Sequence, residues 1–128
     1  MRLGNFSMSL AVKDLAVSRA FYEKLGFRAI AGEPAQGWLI LQNENSTIGI
    51  FQGIVERNTL TFNPGWSRTG DTLADFDDVR EIQRELRRRG IEPASAADES
   101  TTGPASLVVI DPDGNPILVD QHVPSPRR

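Results

Sequence analysis

Residues 7–27, SMSLAVKDLAVSRAFYEKLGF, decide how the chain folds. From Ser7 to Val12 small or polar residues alternate with larger apolar ones, which predicts a half-buried strand. Asp14 then suits a helix N-cap, because its carboxylate can accept hydrogen bonds from the free N–H groups of the first turn. Gly26 suits the left-handed position that ends a helix. The stretch therefore predicts a strand followed by a helix.

The predicted helix has one apolar face. Val17, Phe21 and Leu25 recur at four-residue steps, and Tyr22 widens the face. One strand and one helix cannot close a core, so other parts of the chain must supply the rest of a sheet.

The chain repeats this pattern. A shift of 64 residues places Asp14 on Asp78 and Gly26 on Gly90, and it predicts a strand over residues 71–76. Further strand-like runs follow each helix: residues 28–31, 38–41 and 47–52 in the first copy, and 92–94, 107–110 and 117–121 in the second. The Asp-Gly turn between the last two runs predicts a hairpin.

The sequence thus predicts one α+β domain built from two βαβββ repeats. The first repeat covers about residues 5–53 and the second about residues 71–123. A linker over residues 54–70 joins them, and residues 124–128 are expected to form a flexible tail, because they carry no apolar anchor.

The chain resembles the vicinal oxygen chelate (VOC) superfamily, which includes glyoxalase I, extradiol dioxygenases, and fosfomycin- and bleomycin-resistance proteins. The resemblance rests on Val12-Lys13-Asp14-Leu15, Phe21-Tyr22 and Leu25-Gly26-Phe27, and on Asp111-Pro112-Asp113-Gly114-Asn115. It implies a curved mixed sheet with the glyoxalase/bleomycin resistance/dihydroxybiphenyl dioxygenase-like fold. The fold alone does not fix a function, since it carries isomerases, dioxygenases, transferases and binding proteins.

The composition of the 128 residues narrows the function further. Cysteine is absent, so disulfides, thiolate nucleophiles and cysteine metal sites are excluded. The net charge of −3 argues against general nucleic-acid binding. No apolar run approaches the roughly 20 residues of a membrane span, and the N-terminus does not resemble a signal peptide. We therefore expect a soluble cytoplasmic protein with no nucleic-acid or membrane partner.

The resemblance also implies where a metal would bind. Family members that hold a divalent cation use two histidines and one or two glutamates on the first and last strands of each repeat. The matching positions here are Ser7, Gly49, Asp71 and Leu118. A zinc or nickel site needs about three ligands from His, Cys, Asp and Glu, and only Asp71 qualifies. We therefore expect no metal and no cofactor.

Strand parity predicts a cup whose floor could contact a ligand. Its residues are Ser7, Ser9, Gly49, Phe51, Asp71, Leu73, Leu118 and Asp120. Leu73 and Leu118 either fill this cup or line it. The turn before Trp66 is expected to direct its side chain away from the preceding run. Trp66 then either packs between the two repeats or forms an aromatic wall of a pocket. His122, the only histidine, is interpreted as a C-terminal surface residue.

We interpret the chain as a metal-independent small-molecule-binding protein of the bleomycin-resistance and glyoxalase-like type, and as a homodimer. The first strand and residues 62–66 are the expected dimer contacts. The expected ligand is apolar or aromatic, with Asp71 facing a donor or cationic group on it. The alternative is a glyoxalase-like lyase or isomerase, in which Asp71 acts as general base or a metal is shared across the dimer. Whether the protein is an enzyme stays open.

Overall fold

A computed structural model describes residues 1–126. Within them the chain forms β1 (Asn5–Val12), α1 (Leu15–Lys24), β2 (Arg28–Glu33), a 3-10 helix (Pro34–Gln36), β3 (Trp38–Asn43), β4 (Ser46–Gln52), β5 (Thr59–Asn63), α2 (Val79–Arg88), β6 (Ala105–Ile110) and β7 (Pro116–Gln121). The predicted α+β class is confirmed. The chain divides into an N-terminal unit, residues 7–59, and a C-terminal unit, residues 1–6 together with those from Leu60 onward.

The N-terminal unit is a mixed sheet with α1 on one face. Its strand order is β2-β3-β4-β1, with β3 antiparallel to both neighbours and β4 parallel to β1. In the parallel pair Ser9 lies opposite Gly49. The core on the helix side contains Leu15, Leu39, Leu41 and Ile50, with Leu10, Val12 and Tyr22 packed against them.

The C-terminal unit repeats this construction with three strands. Its order is β5-β7-β6, with β5 parallel and β6 antiparallel to β7. Thr61 lies opposite Leu118 in the parallel pair. The buried core joins α2 to the sheet through Val79, Ile82, Leu107, Val109 and Val119.

Both predicted helix caps are confirmed. The Asp14 carboxylate accepts the Val17 N–H at 3.1 Å, and the Asp78 carboxylate accepts the Arg80 N–H at 2.9 Å. Gly26, which follows α1, has a φ of 96° and ends that helix as expected.

The apolar face predicted for α1 is not the face that packs. Val17, Phe21 and Leu25 are 66%, 58% and 56% exposed, whereas Tyr22 and Leu15 pack against the sheet. The side chains of α1 that reach the core, Leu15 and Tyr22, therefore lie beside the predicted apolar face and not at its centre.

The first strand of the second repeat is β5, not residues 71–76. Those residues contribute only an isolated bridge between Thr72 and Trp66. Because β5 lies parallel to β7 as β1 lies parallel to β4, Leu60 occupies the place of Met8. The stretch predicted as a linker therefore contains a strand.

Two smaller expectations also differ. Residues 92–94 form no strand, and the neighbouring Ser95 makes an isolated bridge to Val108. In the described part of the predicted tail, the Ser125 hydroxyl donates to the Asp78 carboxylate at 2.7 Å, so a polar anchor takes the place of an apolar one. Residues 127–128 lie outside the described part of the chain. Among the described helices none is long and apolar enough to cross a membrane.

Candidate functional site

The sheet of the N-terminal unit has a face that α1 does not cover. Leu10, Leu39 and Ile50 point toward α1, so strand alternation places their neighbours on the opposite side. We call this side the aromatic face; it carries Ser7, Ser9, Trp38, Ile40, Gly49 and Phe51. Four of the predicted site residues, Ser7, Ser9, Gly49 and Phe51, thus share one surface.

Two aromatic rings dominate the aromatic face. Trp38 and Phe51 are paired across β3 and β4 and stack with centroids 6.4 Å apart and planes 8° apart. Both side chains are partly exposed. Gly49 makes room for this stack, because a Cβ atom there would lie 2.5 Å from a ring carbon of Phe51. Gly49 is therefore required for packing of the phenyl ring along the strand.

The serines of β1 lie on the same side of the sheet as the stack, but both are buried. Ser7 and Ser9 are 7% and 6% exposed, and Ser9 lies directly opposite Gly49. The exposed part of the aromatic face is therefore formed by the two rings, with the serine hydroxyls buried beside them.

A second group of side chains lies in the C-terminal unit. Val119 packs in the core, so Leu118 and Asp120 point to the other side of β7. His122 continues that side just past the strand, and its Nε2 lies 3.0 Å from the Asp120 carboxylate. The His122 ring stacks on Trp66 with centroids 4.5 Å apart and planes 5° apart. We call Trp66, Asp120 and His122 the histidine cluster.

Local contacts fix the histidine cluster. The Asn63 side chain is buried and donates from Nδ2 to the Asp120 carbonyl at 2.8 Å. Gly65, with a φ of 89°, turns the chain after β5 and accepts the Leu73 N–H at 2.8 Å. The turn places Trp66 beside the end of β7.

The Asp120 carboxylate sets the charge of the cluster. Its hydrogen bond raises the pKa of His122, and burial of the ring opposes this only partly. The interpretation of His122 as a surface residue is confirmed, since its side chain is 48% exposed, but its pairing with Asp120 was not predicted. The signal was present in the Asp-x-His spacing, since residues two apart on a strand share a face.

Asp71 and Leu73 are not brought to this surface. Asp71 is exposed in the loop before α2, where its carboxylate accepts the Thr69 hydroxyl at 2.8 Å. Leu73 is 39% exposed. Because residues 71–76 form no strand, the alternation that placed both residues on a cup floor does not apply to them.

The residues at the implied metal positions do not fit a divalent cation. In the N-terminal unit these positions hold Ser7 and Gly49. The pairing of β5 with β7 makes Thr59 the counterpart of Ser7, and Leu118, the counterpart of Gly49, adds no donor atom. Throughout residues 1–126, no group of three or more His, Asp or Glu side chains lies close enough to hold a metal. A metal site normally needs about three such ligands.

Two surface cavities lie away from both groups. One, of about 370 Å³, is beside the start of α1 and is lined by residues that include Asp14, Arg19 and Gln52. The other, of about 460 Å³, is an open depression lined by Arg84, Arg87, Arg88 and Glu99. The arginines there are paired with glutamates, among them Arg84 with Glu99 at 3.2 Å, so this charge is already balanced.

The geometry defines a class of protein. Two units, each with a helix packed on one face of a small mixed sheet, correspond to the VOC fold. Residues 4–119 match the Glyoxalase/Bleomycin resistance protein/Dioxygenase superfamily, and the chain belongs to that superfamily. Comparison with curated proteins finds no match.

Solved structures share this fold at low sequence identity. A glyoxalase/bleomycin resistance protein/dioxygenase superfamily member from Vibrio splendidus 12B01 is 14% identical with a TM-score of 0.62, over 91% of this chain and 97% of that one. A structure named NAD-dependent benzaldehyde dehydrogenase from Legionella pneumophila is 18% identical with a TM-score of 0.67, over 91% and 98%. The Mn(II)-bound glyoxalase from Novosphingobium aromaticivorans is 15% identical with a TM-score of 0.56, over 99% of this chain and 42% of that one. At these identities the likeness concerns the fold alone.

Proposed function

We propose that the protein binds an apolar or aromatic small molecule, without a metal, through the aromatic face. The observation that supports this proposal is the stack of Trp38 on Phe51, partly exposed on the side of the sheet that α1 leaves uncovered. Aromatic side chains are typical of the lining of small-molecule sites. The protein would sequester or sense its ligand, as the resemblance to bleomycin-resistance proteins implies.

The donor set supports a site that works without a metal. Ser7, Gly49, Thr59 and Leu118 offer hydroxyl groups or no donor at all, and hydroxyls without carboxylate or imidazole partners hold divalent transition metals poorly. Recognition in this proposal therefore relies on ring contacts and hydrogen bonds.

We propose Leu118 and Trp66 as ligand contacts of a second surface, within the C-terminal unit, to which Asp120 contributes through its contact with His122. Asp71 and Leu73 are left out, because both are exposed in a loop. No observation favours Asp71 as the general base of a lyase or isomerase, since its carboxylate is directed to Thr69.

The proposal includes a homodimer. Phe6, on β1, is 46% exposed, and its ring lies 5.2 Å from that of Phe62. Exposed aromatic side chains of this kind are enriched in the centres of protein interfaces. These two rings belong to the segments that the sequence interpretation assigned to the dimer contact.

A fragment screen by NMR tests the binding function. The 15N-labelled protein, dialysed against EDTA, is titrated with aromatic fragments such as naphthalene-2-methanol and with cyclohexylmethanol. We expect the aromatic fragments to shift the Trp38 indole resonance and the backbone amides of β3 and β4. Gly49→Ala, whose new methyl must displace the Phe51 ring, should weaken this binding about tenfold or more. The proposal fails if no aromatic fragment shifts these resonances at millimolar concentration.

A further inference from the structure

In the histidine cluster Nε2 of His122 contacts Asp120, and Nδ1 is the nitrogen that could contact a ligand. Nε2 lies 3.0 Å from Asp120 Oδ2. An ionised carboxylate only accepts hydrogen bonds, so Nε2 keeps its proton in both charge states of the ring. Nδ1 is therefore the nitrogen that gains or loses the proton, and it can bind a second group.

Trp66 holds the imidazole in one plane. The two rings are nearly parallel, at 5°, with centroids 4.5 Å apart. Rotation of the imidazole about its Cβ–Cγ bond would tilt it away from Trp66 and break the hydrogen bond to Asp120. The side chain nevertheless remains 48% exposed, so a solute can reach its edge.

The charged donor that a protonated His122 presents favours an acidic ligand group. Asp120 stabilises the imidazolium, and an imidazolium donates from Nδ1. A hydrogen bond from a cationic donor to an anionic oxygen is about twice as strong as one between neutral groups. Asp120 itself is occupied by Nε2, which limits its repulsion of an incoming anion.

Neighbours of the cluster suit an apolar body attached to that acidic group. Leu118 lies two residues before Asp120 on the same side of β7 and is partly exposed. Thr61, directly opposite Leu118, is buried beneath this surface. An apolar surface beside a fixed cationic donor matches an amphipathic acid.

We propose that His122 binds the carboxylate or phenolate group of an aromatic acid through Nδ1, with Asp120 as the residue that positions the ring. The inference rests on the proposed small-molecule-binding function and names the chemical class of its ligand. It transfers the polar role that the sequence interpretation gave to Asp71, facing a cation, to His122, facing an anion.

Benzoate and benzyl alcohol provide matched probes, since they share a ring and differ in charge. In a Trp38→Phe protein, Trp66 is the only indole, and its fluorescence reports the histidine cluster. We expect benzoate to change this fluorescence and to shift the 15N resonance of His122 Nδ1 more than that of Nε2. Benzyl alcohol should have less effect on both.

His122→Gln tests the assignment directly. It should weaken benzoate binding at least tenfold, the lower end of the loss for a hydrogen bond to a charged group. Binding of benzyl alcohol should not change, and circular dichroism checks that the variant folds. Asp120→Asn should weaken benzoate binding and also alter the ratio of the two imidazole tautomers, a change that a merely structural role would not produce.

The outcomes separate this inference from the proposed function. A Trp66→Phe protein, in which Trp38 reports the aromatic face, is titrated in parallel. If benzyl alcohol changes Trp38 fluorescence while benzoate binds wild type and His122→Gln equally, the inference fails and the proposed function stands. If benzoate shifts His122 Nδ1 but neutral aromatic probes leave Trp38 unchanged, the acid-binding site stands and the aromatic face is wrong. Absence of any shift at His122 with millimolar benzoate overturns the inference.

Discussion

Trp66 and His122 lie face to face, with ring centroids 4.5 Å apart and planes 5° apart. The other tryptophan, Trp38, stacks instead on Phe51 in the N-terminal unit, at 6.4 Å. Each unit therefore places its tryptophan against a different aromatic partner. Single-tryptophan proteins can report the two surfaces separately.

Trp66 fluorescence should follow the protonation of His122. A stacked imidazolium quenches an excited indole more strongly than a neutral imidazole does, so the emission of the Trp38→Phe protein should fall on acidification. Because Asp120 raises the pKa of His122, we expect the midpoint above about 6.5, the ordinary value for histidine. A fluorescence titration from pH 5 to 9 measures it.

Two further substitutions, Asp120→Asn and His122→Gln, are titrated in the same way. Asp120→Asn should move the midpoint down, because the carboxylate that stabilises the imidazolium is gone. His122→Gln should abolish the transition. An unchanged midpoint in Asp120→Asn would show that the observed contact does not set the protonation of His122.

Arg80 should contribute far more to stability than Arg84 on the same helix. The Arg80 side chain is 4% exposed and pairs with the equally buried Asp78 at 3.0 Å, whereas that of Arg84 is 48% exposed. Removing one partner of a buried pair costs about 3–5 kcal/mol, and an exposed pair contributes about 0–1 kcal/mol. Urea unfolding of Arg80→Ala and Arg84→Ala compares them. Equal losses would contradict the buried pair.

Stability should fall in acid partly through Asp78. Burial alone would raise the pKa of Asp78, but hydrogen bonds from Gln121, Ser125 and Arg80 outweigh it and hold the pKa below its ordinary value. The unfolded chain therefore takes up this proton more readily than the folded one. Asp78 contributes stability that is present above its unfolded-state pKa, about 3.9, and lost as the pH falls through its folded-state pKa.

Asp78→Asn provides the comparison for this pH dependence. The difference in unfolding free energy between wild type and Asp78→Asn should shrink from pH 6 to pH 3, measured by urea unfolding at each pH. A difference that stays constant over this range would rule out the Asp78 carboxylate as the source.

Gln121 and Gln52 each accept a hydrogen bond from the backbone N–H of the first residue of a helix, but Gln121 is buried and Gln52 is exposed. Gln121 accepts the Val79 N–H and Gln52 accepts the Leu15 N–H, each at 2.8 Å. Gln121 is 1% exposed, so Gln121→Met leaves a buried donor unpaired at a cost of about 1–3 kcal/mol. Gln52 is exposed, and water can replace its side chain in Gln52→Met. Thermal and urea unfolding should show the larger loss for Gln121→Met; the reverse order would refute this account.

Two exposed aromatic residues distinguish possible dimer surfaces. Phe6→Glu should convert the proposed homodimer to a monomer in light scattering at micromolar concentration, because a charge cannot be buried against an apolar partner without a large penalty. Phe21→Glu, on the exposed face of α1, is the matched control and should leave the mass unchanged. If only Phe21→Glu dissociates the dimer, the interface lies on α1. A monomeric wild type would refute the homodimer.

Short-range sequence patterns predicted both helices and their caps. The position of the first strand of the second repeat depends instead on which strands pair, which these patterns do not specify. Asp14 and Asp78 cap their helices because a cap depends on atoms within three residues of it. The first strand of the second repeat could not be placed by shifting the sequence. β1 ends at Val12, just before α1, whereas β5 ends at Asn63, well before Val79 begins α2.

Site residues on regular strands could be placed from the sequence, whereas those in loops and turns could not. Ser9, Gly49 and Phe51 were correctly assigned to one face, because β1 and β4 are long regular strands and alternation is reliable within them. Asp71 was assigned by analogy with β1, and it lies in a loop. His122 is exposed as predicted, but its stack on Trp66 was not predicted, because the stack depends on a turn whose direction the sequence does not specify.

Calorimetric titration of one aromatic ligand, with and without metal, tests whether the protein binds it without a metal ion. The tightest aromatic fragment from the NMR screen is titrated into EDTA-treated protein, and then into the same protein with equimolar Mn(II), Ni(II) or Zn(II). We predict saturable binding in EDTA and a dissociation constant that changes less than twofold on adding any of these ions. Binding that requires an added metal, or that tightens tenfold or more with one, would contradict it.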